Sequence, residues 1–336
     1  MLRVLVIGVG SIGERHLRCF RNTGRVELAF CEPNADRRQQ VRDRYGVARA
    51  FADLDEALID RWDAAVVCTP AHFHVPQAIR LAERGTHLLI EKPLATTLDG
   101  IDRLRETVER ERCVAAVAYV LRTHPLVQSV REALISDRFG SPLQIVVNAG
   151  QHFPTYRPAY REIYYTRRET GGGAIQDAMT HLLNLGEFLV GPVDRLLADA
   201  AHLALPGVEV EDTVHVLTRH GPVMGCYALN QFQAPNETSV TLVCQRGTVR
   251  IEFHQNRWQW MREPGSEWQE GMTTALERDQ LFEIQAHRFL DAIELGRIPD
   301  CTLEQGLQTL RVNLGILAES DPPGWTNVRN RNCGET

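Results

Sequence analysis

The chain lacks the features that mark several special classes of protein. Its eight cysteines contain no C-x-x-C pair, which disfavours a metal site or a disulfide framework and predicts buried free thiols. No apolar stretch approaches the ~18 residues of a membrane span, and Met1-Leu2-Arg3 leaves no room for a signal peptide before the first apolar run. The net charge is -6, so a basic surface for nucleic acid is not expected. These absences predict a cytoplasmic protein without a membrane, nucleic-acid or metal partner.

A glycine-rich turn near the amino end is the strongest local signal. The apolar run Val4-Leu5-Val6-Ile7 leads without a linker into Gly8-Val9-Gly10-Ser11-Ile12-Gly13. Gly8 permits a tight turn, Gly10 lets a pyrophosphate approach the backbone, and Gly13 lets the following helix pack on the strand. The pattern predicts that a dinucleotide binds at the helix N-terminus. Its predicted contacts are Gly8, Gly10, Ser11, Ile12 and Gly13.

A carboxylate after the second apolar run bears on the choice of cofactor. Glu32 directly follows the run from Val26 to Cys31, close to the ~20-residue offset of a ribose-binding acid from the glycine turn. A carboxylate accepts a hydrogen bond from a ribose 2′-hydroxyl and repels a 2′-phosphate, so Glu32 predicts NAD. The nearby Arg37 and Arg38 leave NADP open, because an arginine can accommodate that phosphate.

The order of apolar and amphipathic segments divides the chain into two parts. Up to about residue 120, strand-like runs alternate with helical patterns, which is typical of a doubly wound parallel sheet covered on both faces. Later strand-like runs follow one another through short turns, which favours an open, mainly antiparallel sheet. We predict an α/β protein with a Rossmann domain over residues 1–120 and an α+β domain over residues 121–336. The last helices are candidates to pack back on the first domain, and an irregular tail follows from residue 321.

Four motifs together resemble a known family. They are the glycine turn with His16, Thr69-Pro70-Ala71-His72-Phe73-His74, Glu91-Lys92-Pro93, and Gly171-Gly172-Gly173 leading to Asp177 and His181. In this order the chain resembles the glucose-fructose oxidoreductase and inositol dehydrogenase family, Gfo/Idh/MocA, over nearly its whole length. The resemblance implies hydride transfer between a nicotinamide and a secondary hydroxyl of a sugar, inositol, or related polyol or sugar acid. It also implies a homodimer or homotetramer built through the second domain.

The predicted strand ends supply further candidate residues. Ligands of parallel sheets bind beyond the carboxyl ends of the strands, where the Thr69 and Glu91 motifs fall. The additional candidates for cofactor contact are Thr69, Pro70, His74, Glu91 and Lys92. For His74, a helix cap is an equally good alternative.

Oxidation of a secondary alcohol needs a group that takes the hydroxyl proton while hydride leaves. Lys92 follows a strand end at the expected crevice, and Pro93 stiffens the backbone beside it. Asp177 and His181 are four residues apart on a predicted helix over residues 174–190, so they share one face. We predict that Lys92, Asp177 and His181 are catalytic, with His181 as general acid and base and Asp177 as its partner or as a hydroxyl acceptor. A surface ion pair or a core histidine is the alternative.

Two positions depart from the pattern of the family that the chain resembles. Ala71 stands where the family often has Asn, which weakens one hydrogen bond on the nicotinamide side. Asn184 stands where the family often has Asp, which puts a role of position 184 in proton relay in doubt.

The segment before the glycine triplet is rich in tyrosine and arginine. Four tyrosines (156, 160, 164 and 165) and four arginines (157, 161, 167 and 168) lie within thirteen positions. Because the segment precedes Asp177, we predict that it borders the substrate pocket, with Arg157 and Tyr160 as candidate substrate contacts. An oligomer or interdomain contact, in which Tyr and Arg are also common, is the alternative.

Two other functions fit the same residues. An NAD-dependent glycosidase would oxidise a ring hydroxyl transiently and release a sugar without net NADH. A non-catalytic dinucleotide-binding regulator would keep the Rossmann domain and lose the chemistry. The presence of Lys92, Asp177 and His181 together argues against the regulator.

Overall fold

The computed structural model describes residues 1–320, and its first sheet has six parallel strands. The strands are β1 (Leu2–Ile7), β2 (Val26–Cys31), β3 (Arg49–Phe51), β4 (Ala64–Val67), β5 (His87–Ile90) and β6 (Ala115–Val117). The connecting helices are α1 (Ser11–Asn22), α2 (Ala35–Tyr45), α3 (Leu54–Ala57), α4 (His74–Ala82) and α5 (Ile101–Arg110). The strand order β3-β2-β1-β4-β5-β6 is that of a Rossmann fold, which confirms the prediction for this part of the chain. The predicted tail lies outside the described residues.

Local signals in the sequence explain where the elements of this sheet begin and end. Every residue of β4 is buried, as expected for a strand covered on both faces. Asn34 accepts a hydrogen bond from the backbone N–H of Arg37 at the start of α2, and Gly46 ends that helix with φ of 61°. Asp53 caps α3 in the same way. Asn34 and Asp53 follow strand ends, so their turns lie at the carboxyl edge of the sheet, where the site forms.

The second sheet has eight strands and is mainly antiparallel, as predicted. Its strands are β7 (Pro142–Gly150), β8 (Arg195–Ala201), β9 (Thr213–His220), β10 (Val223–Asn230), β11 (Glu237–Cys244), β12 (Gly247–Glu252), β13 (Arg257–Met261) and β14 (Gln269–Thr273). They lie in the order β14-β13-β12-β11-β7-β10-β9-β8, with β7 and β10 parallel. Helices α6 (Pro125–Ile135) and α8 (Thr180–Val190) cover one face, and α7 (Phe153–Tyr156) lies in the loop after β7.

The last two helices, α9 (Gln280–Leu295) and α10 (Leu303–Glu319), return to the first sheet. Phe289 of α9 packs edge-on against Phe20 of α1, with ring centroids 6.2 Å apart. The backbone N–H of Val117 in β6 donates to the carbonyl of Cys301, just before α10. Helix α10 also contributes to the core beneath the second sheet, so it connects both sheets. The predicted domain limits remain predictions.

Three further observations concern the part of the chain that the structure describes. None of its helices is both long and apolar enough to cross a membrane. Its seven cysteines are unpaired, and burial raises the pKa of the Cys19 and Cys31 thiols to about 12. No group of three or more His, Cys, Asp or Glu side chains in residues 1–320 is arranged to hold a metal ion.

Candidate active site

The glycine turn between β1 and α1 shows a different constraint at each glycine. Gly8 has φ of 79°, a conformation that a side chain disfavours. A Cβ atom at Gly13 would collide with the carbonyl oxygen of Gly8, so α1 packs directly on the turn only without a side chain there. At Gly10, by contrast, an added Cβ would meet nothing within 4 Å. The turn therefore leaves open space at Gly10, where a phosphate can approach the backbone at the helix N-terminus.

Glu32 lies against this turn at the end of β2. Its carboxylate is buried and accepts hydrogen bonds from the backbone N–H groups of Val9 and Asn34, each at 3.1 Å. The guanidinium of Arg37 is 3.6 Å from the same carboxylate, while Arg38 donates to the carbonyl of Glu32 at 2.6 Å. Both arginines therefore engage Glu32, and the structure brings the predicted ribose-binding acid to the glycine turn.

Glu91 links the end of β5 to α1. Its Oε1 atom is 2.7 Å from Nε2 of His16, and its Oε2 atom accepts from the backbone N–H of Lys92 at 2.9 Å. Burial alone would raise the pKa of Glu91, but the hydrogen bond from His16 and the charges of His16 and Lys92 hold that pKa below its ordinary value. The sequence argument named His16 only as part of a motif, yet its ring is fully buried and holds the residue that precedes Lys92.

Lys92 and Asp177 form the centre of the site. The ammonium of Lys92 donates to the backbone carbonyl of Asp177 at 2.8 Å and to its Oδ1 atom at 3.1 Å. Tyr164 donates from its hydroxyl to the same Oδ1 atom at 2.6 Å. Burial would raise the pKa of Asp177, but the Lys92 charge and the Tyr164 hydrogen bond lower it to about 2. Asp177 is therefore ionised at neutral pH, and Tyr164 is a site residue that the sequence argument did not select.

The composition of the chain also singles out Lys92, although the prediction of the site from sequence did not depend on it. The 37 basic residues of the chain comprise 36 arginines and a single lysine, which is Lys92. Its side chain is 14% exposed and pairs with a buried carboxylate. An ammonium is a compact charge with three donors, and a guanidinium does not replace it in a small site. Every other basic residue of the chain is therefore an arginine, and its single lysine lies at the candidate site.

The backbone around Asp177 differs from the predicted regular helix. Residues Ile175–Met179 form a π-helical turn before α8 begins at Thr180. Such turns change the direction of the side chains and occur often at functional sites. Asp177 faces Lys92 and Tyr164, and within residues 1–320 no hydrogen bond joins it to His181. The partnership of Asp177 with His181, which was predicted from a four-residue spacing on regular α-helix, therefore stays a prediction.

His181 lies beside the Lys92 and Asp177 pair. Its ring is edge-on to that of Tyr119, with centroids 6.0 Å apart. Burial lowers the pKa of His181 to about 3, and the charge of Lys92 acts in the same direction. Its Nδ1 atom is buried and has no hydrogen-bond partner within residues 1–320. The imidazole is therefore neutral at pH 7 and able to accept a proton.

His74 ties together the two segments that follow β4 and β5. Its Nε2 atom is 2.7 Å from the carbonyl of Thr69, and its Nδ1 atom is 3.0 Å from the carbonyl of Pro93. The ring is buried, and burial lowers the pKa of His74. With both nitrogens against protein carbonyls, His74 has a structural position in place of the predicted nicotinamide contact. Thr69 and the exposed Pro70 stay at the edge of the crevice.

The segment that is rich in tyrosine and arginine has a small core of its own. Tyr160 is buried there, packs against Phe153 and Tyr165, and donates to the carbonyl of Pro206 at 2.7 Å. The Tyr160 hydroxyl is occupied within the loop, and its role as a substrate contact stays a prediction. Arg157 is exposed.

Asn184 lies in α8, within a buried link between helices. Its side-chain oxygen accepts from the Arg122 guanidinium at 2.7 Å, and its nitrogen donates to the Thr309 hydroxyl at 2.9 Å. These contacts tie α8 to α10 and do not involve Lys92 or Asp177. Position 184 therefore serves packing in this chain.

Two family profiles match the chain on either side of the junction between its sheets. Residues 2–119 match the oxidoreductase family with an NAD-binding Rossmann fold, and residues 127–250 match the GFO/IDH/MocA C-terminal domain. Together these matches include the glycine turn, Lys92, Asp177 and His181.

Individual relatives agree with these profiles. UDP-N-acetylglucosamine 3-dehydrogenase from Acidithiobacillus ferrooxidans is 31% identical over 57% of this chain and 56% of its own length. Myo-inositol 2-dehydrogenase from Thermotoga maritima is 25% identical over 60% of this chain and 59% of its own. The chain thus spans somewhat more than half the length of these two curated relatives.

Solved structures agree along the whole chain. WlbA dehydrogenase from Bordetella pertussis, in complex with NADH and UDP-GlcNAcA, superposes with a TM-score of 0.83 at 26% identity. The superposition covers 95% of each chain. The chain belongs to the Gfo/Idh/MocA family of oxidoreductases.

Proposed function

We propose that this protein is an NAD-dependent dehydrogenase that transfers hydride between a nicotinamide and a secondary hydroxyl of a sugar, inositol, or related polyol or sugar acid. The observation that carries the proposal is the Lys92 ammonium held by Asp177 beside the neutral imidazole of His181. Relatives named as dehydrogenases of sugars and inositol support it. A regulator that only binds a dinucleotide needs no such arrangement.

The residues around the glycine turn fit NAD. The open space at Gly10 and the N-terminus of α1 would take the pyrophosphate, with Ser11, Ile12 and Gly13 in the same turn. Glu32 would accept hydrogen bonds from ribose hydroxyls and repel a 2′-phosphate, which favours NAD over NADP. Thr69, Pro70, Glu91 and Lys92 would border the nicotinamide. The bound nicotinamide supplies the hydride acceptor.

Lys92 and His181 would divide the work on the substrate hydroxyl. An ammonium has three N–H donors, and Lys92 gives two of them to Asp177. The third is left to hold the substrate oxygen and to stabilise negative charge on it. His181, neutral because of burial, accepts the hydroxyl proton during oxidation and returns it during reduction. Asp177 holds the lysine in place through both contacts.

The test is absorbance at 340 nm of purified protein with NAD or NADP and a panel of inositols, aldoses, sugar acids and amino sugars. We expect NADH with one class of substrate. Lys92→Ala should lower kcat/KM by about 10²- to 10³-fold while NADH binding is kept, because removal of one donor that stabilises developing negative charge costs about that much. Lys92→Arg keeps the charge but changes its shape, so a loss of similar size is expected.

Two results would contradict the proposal. Release of a sugar without net NADH would establish the glycosidase that uses transient oxidation. NADH binding without turnover of any panel member would favour the regulator. The cytoplasmic location and the homodimer or homotetramer expected from the family remain predictions.

A further inference from the structure

The buried face of α1 carries one histidine among small and apolar residues. Its other buried residues are Gly13, Leu17, Cys19 and Phe20. The imidazole of His16 is fully buried and lies edge-on to the ring of Phe282 in α9, with centroids 5.4 Å apart. Its Nδ1 atom has no hydrogen-bond partner within residues 1–320. Because an unpaired buried nitrogen costs free energy, packing alone would favour an apolar side chain at this position.

The one polar contact of His16 leads to the backbone of Lys92. Nε2 of His16 lies 2.7 Å from Oε1 of Glu91, and it is the donor because a carboxylate offers only acceptors. The other carboxylate oxygen, Oε2, accepts from the backbone N–H of Lys92 at 2.9 Å. The N–H of Glu91 donates to the carbonyl of Val67 in β4 at 2.9 Å. The sheet therefore fixes the backbone of Glu91, while His16 fixes its side chain.

This contact joins the helix of the glycine turn to the reacting lysine. Within residues 1–320 it is the one side-chain hydrogen bond between α1 and residues 91–93. Helix α1 begins directly after the glycine turn, where the phosphates of the cofactor would bind. From α1 the contacts run through His16 and Glu91 to Lys92. The ammonium of Lys92 then reaches Asp177, so the path ends at the centre of the candidate site.

We propose that His16 is a positioning residue that holds Lys92 in its reactive geometry through Glu91, an inference that rests on the proposed function. A lysine has a flexible stem of four carbons, so its ammonium is placed accurately only where the backbone that carries it is fixed. A displacement of about 1 Å, caused by a change away from the reacting atoms, can lower a rate by about 10²-fold. The alternative role is support of α1 alone, which would affect the binding of the cofactor and not the lysine.

The experiment uses graded replacements of His16. His16→Leu removes the donor and keeps an apolar side chain in the helix. His16→Gln returns an amide N–H near the place of Nε2, so it is the conservative variant. If the leucine variant does not fold, His16→Asn takes its place, because its shorter amide does not reach Glu91.

His124→Leu is the matched control. His124 is also a buried histidine that lies edge-on to a phenylalanine, with its ring centroid 5.0 Å from that of Phe253. It accepts from the N–H of Leu126 at the start of α6 and belongs to another part of the fold. Loss of a buried imidazole is therefore common to both leucine variants, and loss of the contact with Glu91 is not.

The single lysine of the chain gives a readout that does not depend on turnover. Protein labelled with ¹⁵N-lysine has one backbone amide signal, and that N–H is the group that donates to Glu91. We expect His16→Leu to shift this signal and His16→Gln to return it toward the wild-type position. His124→Leu should leave it unchanged. A Lys92 signal that His16→Leu and His16→Asn do not move overturns the inference.

Steady-state kinetics and NADH titration separate positioning of the lysine from support of the helix. His16→Leu should lower kcat by about 10- to 100-fold, the range for a lost hydrogen bond to a charged group, and change KM and NADH affinity by less than about threefold. His16→Gln should recover most of kcat, and His124→Leu should keep the wild-type constants. An equal loss in His124→Leu, or a loss confined to NADH affinity, overturns the inference. Failure of the wild type to form NADH from any substrate contradicts the proposed function, and the Lys92 signal then decides the role of His16.

Discussion

Tyr164 and Lys92 both donate to Oδ1 of Asp177, and no hydrogen bond within residues 1–320 engages its other carboxylate oxygen. The two contacts are 2.6 and 3.1 Å long, and they keep the carboxylate ionised despite its burial. Tyr164 thus positions a group of the candidate site from a loop built of short helical turns. The contact with Asp177 is made by the Tyr164 hydroxyl and not by the ring.

Replacement of Tyr164 by Phe should lower kcat by about 10- to 100-fold and change KM and NADH affinity by less than about twofold. The variant keeps the ring and removes a hydrogen bond to a charged group, which contributes about 1.5–3 kcal/mol. Steady-state kinetics with the best substrate of the panel measures the separate effects on kcat and KM.

Tyr156→Phe is the matched control, because Tyr156 lies in the same loop and is 49% exposed. It should leave both constants unchanged. The single lysine of the chain also gives a direct observation, since protein labelled with ¹⁵N-lysine has one side-chain signal, that of Lys92. Equal kinetic losses in the two variants, or a Lys92 signal that Tyr164→Phe does not move, would contradict a role for the hydroxyl.

In the turn from β1 to α1, one glycine is required for packing and another leaves space for a ligand. Gly13 has no room for a side chain because the Gly8 carbonyl lies against it, whereas Gly10 faces open space. Gly10 also has φ of -65°, which alanine adopts without strain. The two positions therefore separate the stability of the fold from the binding of a ligand.

Gly13→Ala should destabilise the protein by about 1–3 kcal/mol, because the added methyl group overpacks the contact between helix and turn. Gly10→Ala should change the free energy of unfolding by less than about 1 kcal/mol and weaken NADH binding at least tenfold, because its methyl group occupies the space left for the pyrophosphate. Urea unfolding and fluorescence titration with NADH measure the two effects. The interpretation fails if Gly10→Ala binds NADH as tightly as the wild type.

Elements with strong local signals are the ones that the sequence predicts well. Strand β2 has the limits of the predicted apolar run from Val26 to Cys31, because its apolar residues and the following Glu32 define it. Strands β8, β13 and β14 were not predicted, and β14 is exposed throughout, so it has no buried face to mark it. The π-helical turn at Asp177 has no periodic signature in the sequence either.

At the scale of the whole molecule, burial lowers the pKa of several histidines. The pKa falls to about 4 for His124 and to about 3 for His181, and it is also lowered for His74, His87 and His220. These rings are neutral in the folded protein and take up protons near pH 6.5 when the chain unfolds. Their contribution to stability is therefore complete above about pH 6.5 and is lost as the pH falls below it.

We expect the urea midpoint to fall as the pH is lowered from 7.5 to 5. The lowered pKa values of Asp177 and Glu91 act in the same direction at still lower pH, while the raised pKa of Glu187 opposes them.

His124→Asn should flatten the dependence of the urea midpoint on pH between pH 6.5 and 5, because asparagine keeps a cap for the Leu126 N–H and does not titrate. An exposed control, His287→Asn, should keep the wild-type slope. A midpoint that stays constant from pH 7.5 to 5 would contradict the argument.

The sequence by itself determined the Rossmann order, the glycine turn, Glu32 after β2, and the identity of Lys92, Asp177 and His181 as the residues to examine. These depend on local periodicity, on short motifs and on their resemblance to a family. Only the tertiary structure decided which side chains meet: Lys92 contacts Asp177 across 85 positions, and Tyr164, not Tyr160, reaches that carboxylate. The physical reason is that irregular backbone has no period. The direction of its side chains is set by what packs against the loop, as the small core around Tyr160 does here.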